Sequence, residues 1–226
     1  MRFVVTLSVS VLAAVSLLSG CKATTVPGAP PAGPVAPGPM SPAAAQQMLD
    51  QLPIKGRAPM TGYSRDQFGE AWTDDNNAPD GHNHCDTRND ILRRDLVDIT
   101  PATGCQVTSG TLHDPYTGKT ITFTRGAKST VVQIDHMVPL GDAWQTGAQQ
   151  LPADRRRDLA NDPRNLQAVD GPTNEQKGDG DAATWLPPQK SYRCTYVERQ
   201  VEVKSVYGLW VTQAEHDAIA GILHNC

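Results

Sequence analysis

The chain has 226 residues, 38% of them hydrophobic, 19% charged and 5% aromatic, with a formal net charge of −4. That length accommodates one ordinary domain plus extras, and the acidic balance excludes a broadly basic nucleic-acid binder, so any phosphate contact must come from a local patch or a metal. Gly (19) and Pro (18) are frequent, which predicts long ordered loops and modest regular structure.

Arg2 precedes an uncharged apolar run from Val4 to Leu18. The run is short for a membrane span and reads as the apolar region of a signal peptide over residues 1–20. It closes in Leu18-Ser19-Gly20-Cys21, the lipobox pattern of bacterial lipoproteins, which predicts an exported protein anchored to the cell membrane by a lipid on Cys21. Residues 21–58 read as a Pro/Ala/Gly-rich tether, whose Lys22–Pro42 part has almost no bulky apolar residue and cannot bury a core. Within it Ser41-Pro42 can cap a short helix over Ala43–Leu52. The folded domain is expected over 59–226, beginning near Met60.

In that domain Thr87–Val97 predicts a helix with Ile91, Leu92 and Leu96 on one face. Val107–Leu112 and Thr120–Phe123 predict strands joined by the turn Asp114-Pro115-Tyr116-Thr117-Gly118. Val131–Asp135 is a β-rich run ending at His136. Asp142–Gln150 and Asp154–Ala160 read as helices, Asn165–Val169 as a short strand, and Pro172–Lys177 as a helix opening after Gly171. Ser191–Tyr207 is a longer amphipathic helix. Thr212 and Glu215 form a capping box, so a last helix runs over Gln213–Leu223. The mixture is α+β.

Setting Cys21 aside leaves Cys85, Cys105, Cys194 and Cys226, an even number that suggests two disulfides in an exported domain, with three possible connectivities. Sequence proximity and element order favour Cys85–Cys105 and Cys194–Cys226.

The chemistry concentrates between Gln133 and Lys177. Cleaving a phosphodiester needs an activated water and a cation to offset charge on the phosphate and the leaving oxygen. A histidine at a strand end can take the proton of water. A neighbouring carboxylate, Asp135, can ligate a hard cation, and Asn174 can bring an amide oxygen to the same ion. Adjacent strand residues point to opposite faces, so Asp135 and His136 converge only if the strand ends or bends there.

The runs Ile134-Asp135-His136-Met137-Val138-Pro139-Leu140, Asn165-Leu166 and Asn174-Glu175-Gln176-Lys177-Gly178 resemble the HNH, or ββα-metal, nucleases. The wider block, with Cys85-Asp86-Thr87-Arg88-Asn89-Asp90 and Gly141-Asp142-Ala143-Trp144, is similar to exported HNH endonucleases related to the C-terminal nuclease domain of GmrSD-type restriction enzymes. The resemblance covers residues 60–226. It implies an α+β fold with a ββα-metal core over 131–180, elaborated with further helices and a β-hairpin and stapled by disulfides. It further implies an endonuclease, DNA being the favoured substrate, with His136 as general base, Asp135 and Asn174 as ligands of Mg²⁺ or Mn²⁺, and Asn165 fixing the hairpin and the orientation of His136. The long insertion after His136 makes Asn161 a rival for that middle position. Lys177 sits near the phosphate or packs against its helix. Arg88 is assigned to substrate, with an ion pair at the helix start as its alternative.

Other readings of these residues are structural. His82, His84 and Cys85 suggest zinc, but the spacing is short and no second ligand pair follows. Arg155-Arg156-Arg157 reads as a DNA-backbone patch or as a solvated helix face. Trp144, Trp185 and Trp210 read as core residues, and His113, His216 and His224 as structural or exposed. The rival functional class is a non-catalytic lipoprotein, binding a metal or a cell-wall ligand on a degenerate HNH scaffold.

Overall fold

The computed structural model describes residues 40–226. The expected signal peptide, the lipidation site Cys21 and most of the tether lie outside the described residues.

The first helix, α1 (Pro42–Leu49), starts where Ser41 accepts a hydrogen bond from the Ala44 amide and Pro42 takes the first helical position, as the local sequence demands. It is shorter than expected, and it is not part of a tether. Ala45 and Leu49 are fully buried against Tyr196, Val197, Val201, Ile219 and Leu223. The folded unit therefore begins well before Met60, because two apolar residues one helical turn apart are enough to dock α1.

Helix α2 (Thr87–Asp95), capped by Asp86, ends earlier than expected. Leu96–Thr100 continues as strand β1, which pairs with β2 (Ser109–His113), itself paired with β3 (Thr120–Thr124), in an antiparallel three-stranded sheet. The hairpin at Asp114–Gly118 turns as expected: the Asp114 carboxylate accepts from the Thr117 amide at 2.8 Å, and Gly118 has φ +75°, a conformation that favours glycine.

A second sheet consists of β4 (Val132–His136) and β5 (Leu166–Asp170), antiparallel, with Asp135 opposite Gln167 and His136 opposite Leu166. Helix α3 (Leu140–Gln145) and helix α4 (Ala153–Asn161) lie between the two strands in sequence, and helix α5 (Gly171–Lys177) follows β5 directly. Asp170 caps α5 by accepting from the Thr173 amide at 3.1 Å. Helix α6 (Arg193–Tyr207) and helix α7 (Gln213–Leu223) complete the chain, and Thr212 and Glu215 make the expected capping box.

Strand alternation places this small sheet between two cores. Val132, Ile134, Leu166 and Ala168 pack with Ile91, Leu92, Leu112 and Phe123, while Val169 joins the cluster around α1, α6 and α7. A third cluster joins Phe68, Val138, Leu140, Trp144, Leu159 and Tyr207. Trp144 and Trp210 are buried, as core tryptophans should be, and Trp185 is half-buried. Disulfides link Cys85 to Cys105 and Cys194 to Cys226. The second ties the start of α6 to the chain end. This is cysteine usage of an oxidising compartment. No helix among the described residues is long and apolar enough to cross a membrane.

Candidate active site

His136 closes β4 and is the last residue in register with β5. Its side chain falls on the Ile134 face and opens into a cleft of about 340 Å³, which Arg65, Asp66, Trp72, Leu140, Ala160 and Asn161 help to line. The imidazole is buried. Its Nε2 lies 3.0 Å from the Ala160 carbonyl oxygen. A carbonyl only accepts, so Nε2 carries the proton and Nδ1 of the neutral ring keeps its lone pair. Burial pushes the pKa of His136 down to about 3, against the Ala160 hydrogen bond, and the charges of Arg65 and Lys177 lower it further. At neutral pH the ring is an uncharged acceptor.

One aromatic contact holds the ring, and a buried asparagine fastens the chain just after it. Trp72 stacks on the ring, with centroids 5.7 Å apart and planes at 15°. To do so Trp72 takes φ +61°, a left-handed conformation that is costly for a bulky residue and characteristic of functional sites. Asn165 is fully buried. Its Oδ1 accepts from the Val138 amide at 2.8 Å and its Nδ2 donates to the Leu159 carbonyl at 3.2 Å. The Met137 amide donates to the Asn165 carbonyl at 2.7 Å. Asn165 thus fastens the segment just after His136 to the start of β5 and the end of α4. Asn161 occupies a different place: its Oδ1 is buried without a partner, and the residue lines the cleft.

Asp135 goes the other way. β4 runs regularly through His136, so Asp135 lies on the opposite face. There it is buried, accepting from Lys177 Nζ at 2.7 and 2.8 Å and from the Tyr116 hydroxyl. Lys177 is wholly buried, also donating to the His136 carbonyl at 2.7 Å. Burial lowers the Lys177 pKa, and Asp135 opposes that shift. Burial and the Asp135 charge together push the Tyr116 phenol well up, so it remains a donor. Asn174, half-buried on α5, donates from Nδ2 to Gln133 Oε1 at 2.9 Å. Asp135, Asn174 and Lys177 therefore share the α5 side of the hairpin and His136 does not. As placed, the carboxylate has both oxygens engaged and its charge matched by an ammonium. That does not fit an ion such as Mg²⁺, which keeps several waters.

The remaining expected residues lie elsewhere. Arg88 reaches the Val132 carbonyl at 3.4 Å, behind β4 and away from the cleft lining. Cys85 is in a disulfide and His82 and His84 are exposed, so the three do not make a zinc site. Arg155 stacks on Tyr207, Arg156 donates to the Gln67 carbonyl at 2.7 Å and Arg157 pairs with Asp75 at 3.2 Å, which makes this run a packing device. Among the described residues, the group of carboxylates close enough to share an ion is Asp142, Asp181 and Glu215. Lys204 Nζ already bridges Asp142 and Glu215 at 3.0 and 2.8 Å, and Arg57 bridges Asp142 and Asp181 at 3.0 and 2.7 Å. Two cations thus offset three carboxylates, and burial pushes the pKa of Glu215 up to about 7 against the pull of Lys204. Sequence reasoning missed Arg65 and Trp72, which sit in an aperiodic, glycine-containing stretch with no motif around them.

A buried, neutral histidine held in one tautomer thus lines this cleft. The family described as GmrSD restriction endonucleases, C-terminal domain, matches residues 86–222, so the chain is a member of it, with nuclease-type function at the family level. It is also 38% identical over 213 residues to an "Uncharacterized secreted protein" of Arthroderma benhamiae, covering 93% of this chain and 98% of that one. No solved structure matches.

Proposed function

We propose that this chain is an exported endonuclease of the HNH type that hydrolyses phosphodiester bonds of nucleic acid, DNA being favoured, with His136 as its general base. The observation that carries the reading is the 3.0 Å contact from His136 Nε2 to the Ala160 carbonyl. It leaves Nδ1 as the basic atom of a residue that lines the cleft. Water oxygen attacks phosphorus while Nδ1 takes its proton. The bond from phosphorus to the leaving sugar oxygen breaks, and that oxygen takes a proton from solvent. A base pushed down to about 3 chiefly by burial is weak, but an anionic phosphate beside it favours the charged ring and raises its pKa. Trp72 and Asn165 act as positioning residues, holding the ring and the end of β4.

Mg²⁺ or Mn²⁺ is the cofactor expected of such an enzyme, with Asp135 and Asn174 as its proposed ligands. Holding it there requires Lys177 to leave the Asp135 carboxylate. The same ion pair favours the second reading, a non-catalytic binding protein on a degenerate HNH scaffold. Action at the cell surface through a lipid on Cys21 remains part of the proposal. Nicking of supercoiled plasmid with Mg²⁺ or Mn²⁺, with and without chelator, separates the two readings. Nicking that chelator abolishes supports the enzyme. No nicking of DNA or RNA under any metal supports the binding protein.

A further inference from the structure

We infer that Arg65 is the phosphate-binding residue of the His136 cleft; this rests on the nuclease reading above. Among the described residues Arg65 is the one arginine whose side chain makes no hydrogen bond and no ion pair. The others are committed: Arg94 and Arg199 to carbonyls around Pro163–Leu166, Arg125 to Asn89, Arg164 to Asp162, and Arg156 and Arg157 as described above. Arg65 is exposed and lines the cleft beside His136.

Its backbone is nevertheless fixed. Arg65 opens a single 3₁₀ turn, Arg65–Phe68. Phe68 is 1% exposed and packs against Trp144 and Tyr63 with centroids 6.3 and 6.4 Å apart. Arg156 grips the Gln67 carbonyl from α4. After the turn, Gly69 takes φ +81°, and a Cβ there would come within 3.2 Å of Arg157, so the chain passes close to α4 before reaching Trp72. A guanidinium on a pinned turn, unpartnered and facing a cleft, suits an anion that arrives from outside. In a chain of net charge −4, binding a phosphodiester needs such a local cation. Asp66 and Glu70 share the rim, form no ion pair with Arg65, and repel a phosphate from their side, which directs it to Arg65. The planar fork can hold two non-bridging oxygens at once. That places phosphorus near His136 Nδ1 and opposes the charge that grows on those oxygens during attack. The turn precedes the family-matched residues 86–222, so a segment outside the matched region supplies one wall of the site.

The test compares the wild-type chain with Arg65→Ala, Arg65→Lys and His136→Ala, in cleavage of a labelled duplex oligonucleotide with Mg²⁺ or Mn²⁺ and in equilibrium binding of the same duplex with chelator across a salt series. Arg65→Ala should lower kcat/KM by about 10²-fold, the scale of losing one preorganised charge-stabilising donor. It should also reduce the slope of log K against log salt by about one. Arg65→Lys should recover part of the rate. The melting temperature should not move, because no protein partner is lost. Wild-type kcat/KM and an unchanged salt slope in Arg65→Ala, beside an inactive His136→Ala, overturn the assignment of Arg65 alone. Full cleavage by His136→Ala overturns the nuclease reading of that residue. In that case the salt slope of Arg65→Ala still decides whether Arg65 binds phosphate.

Discussion

Removing either member of the Lys177–Asp135 pair should cost far more than removing both. Asp135→Asn keeps the shape of the side chain but leaves a wholly buried ammonium facing a neutral amide, with the His136 carbonyl as its other acceptor. Breaking a buried pair by removing one partner costs about 3–5 kcal/mol. For a folded unit of this size that corresponds to a fall in Tm of roughly 6–20 °C, at about 2–4 °C per kcal/mol. Lys177→Met should cost a similar amount by stranding the carboxylate. The double variant removes both charges and keeps apolar volume, so it should be less destabilised than the sum of the singles by about 2–4 kcal/mol. The assay is urea unfolding of all four proteins, oxidised and in chelator, followed by far-UV circular dichroism. If Asp135→Asn unfolds within about 0.5 kcal/mol of wild type and the two changes add, Asp135 is not held by Lys177. The carboxylate would then be free to serve a metal.

Acid should destabilise the fold through His136. Its pKa in the folded chain is about 3 against 6.5, so between those values the unfolded chain binds the extra proton and stability falls as pH falls. The effect is of the order of a few kcal/mol by pH 3, and His136→Gln should flatten the pH dependence of the urea midpoint. Asn165→Ala should cost about 2–4 kcal/mol, by stranding the Val138 amide and the Leu159 carbonyl, and should slow cleavage more than it slows substrate binding. Cys226→Ser opens a loop with a sequence separation of 32, worth roughly 3–4 kcal/mol in the chain-entropy account; a melt with and without reductant reads it. Cys21→Ala should release the protein from the membrane fraction if the lipobox is processed, since two acyl chains suffice for stable anchoring, and unchanged fractionation would contradict the anchor.

What was legible in the sequence was mainly local. The Thr212 capping box, the Ser41-Pro42 helix start and the Asp114–Gly118 turn depend on residues close together in the chain, while the two disulfides, with separations of 20 and 32, follow from the even cysteine count and the element order; the structure has all of them. Strand β1 was not legible, because Leu96 and Val97 continue the apolar spacing of α2 and only pairing with β2 makes them a strand. The same limit applies to the site. Strand alternation already required a bend for Asp135 and His136 to converge. β4 instead stays in register with β5 through His136, so the two side chains part. Arg65 and Trp72 reach His136 only through the tertiary fold, and no periodicity marks them. Lys204 reads as an ordinary polar position on α6. Its burial between Asp142 and Glu215 follows from α3 and α7 closing over it, which no window of sequence contains.

The central claim is that His136 Nδ1 takes the proton of the attacking water. Its most direct test is the single-turnover rate of duplex cleavage by His136→Ala beside wild type, with a melting curve on each protein. The rate should fall by about 10² to 10⁴-fold, the range for a lost general base, while the variant remains folded. A folded His136→Ala that cleaves at the wild-type rate would contradict the account.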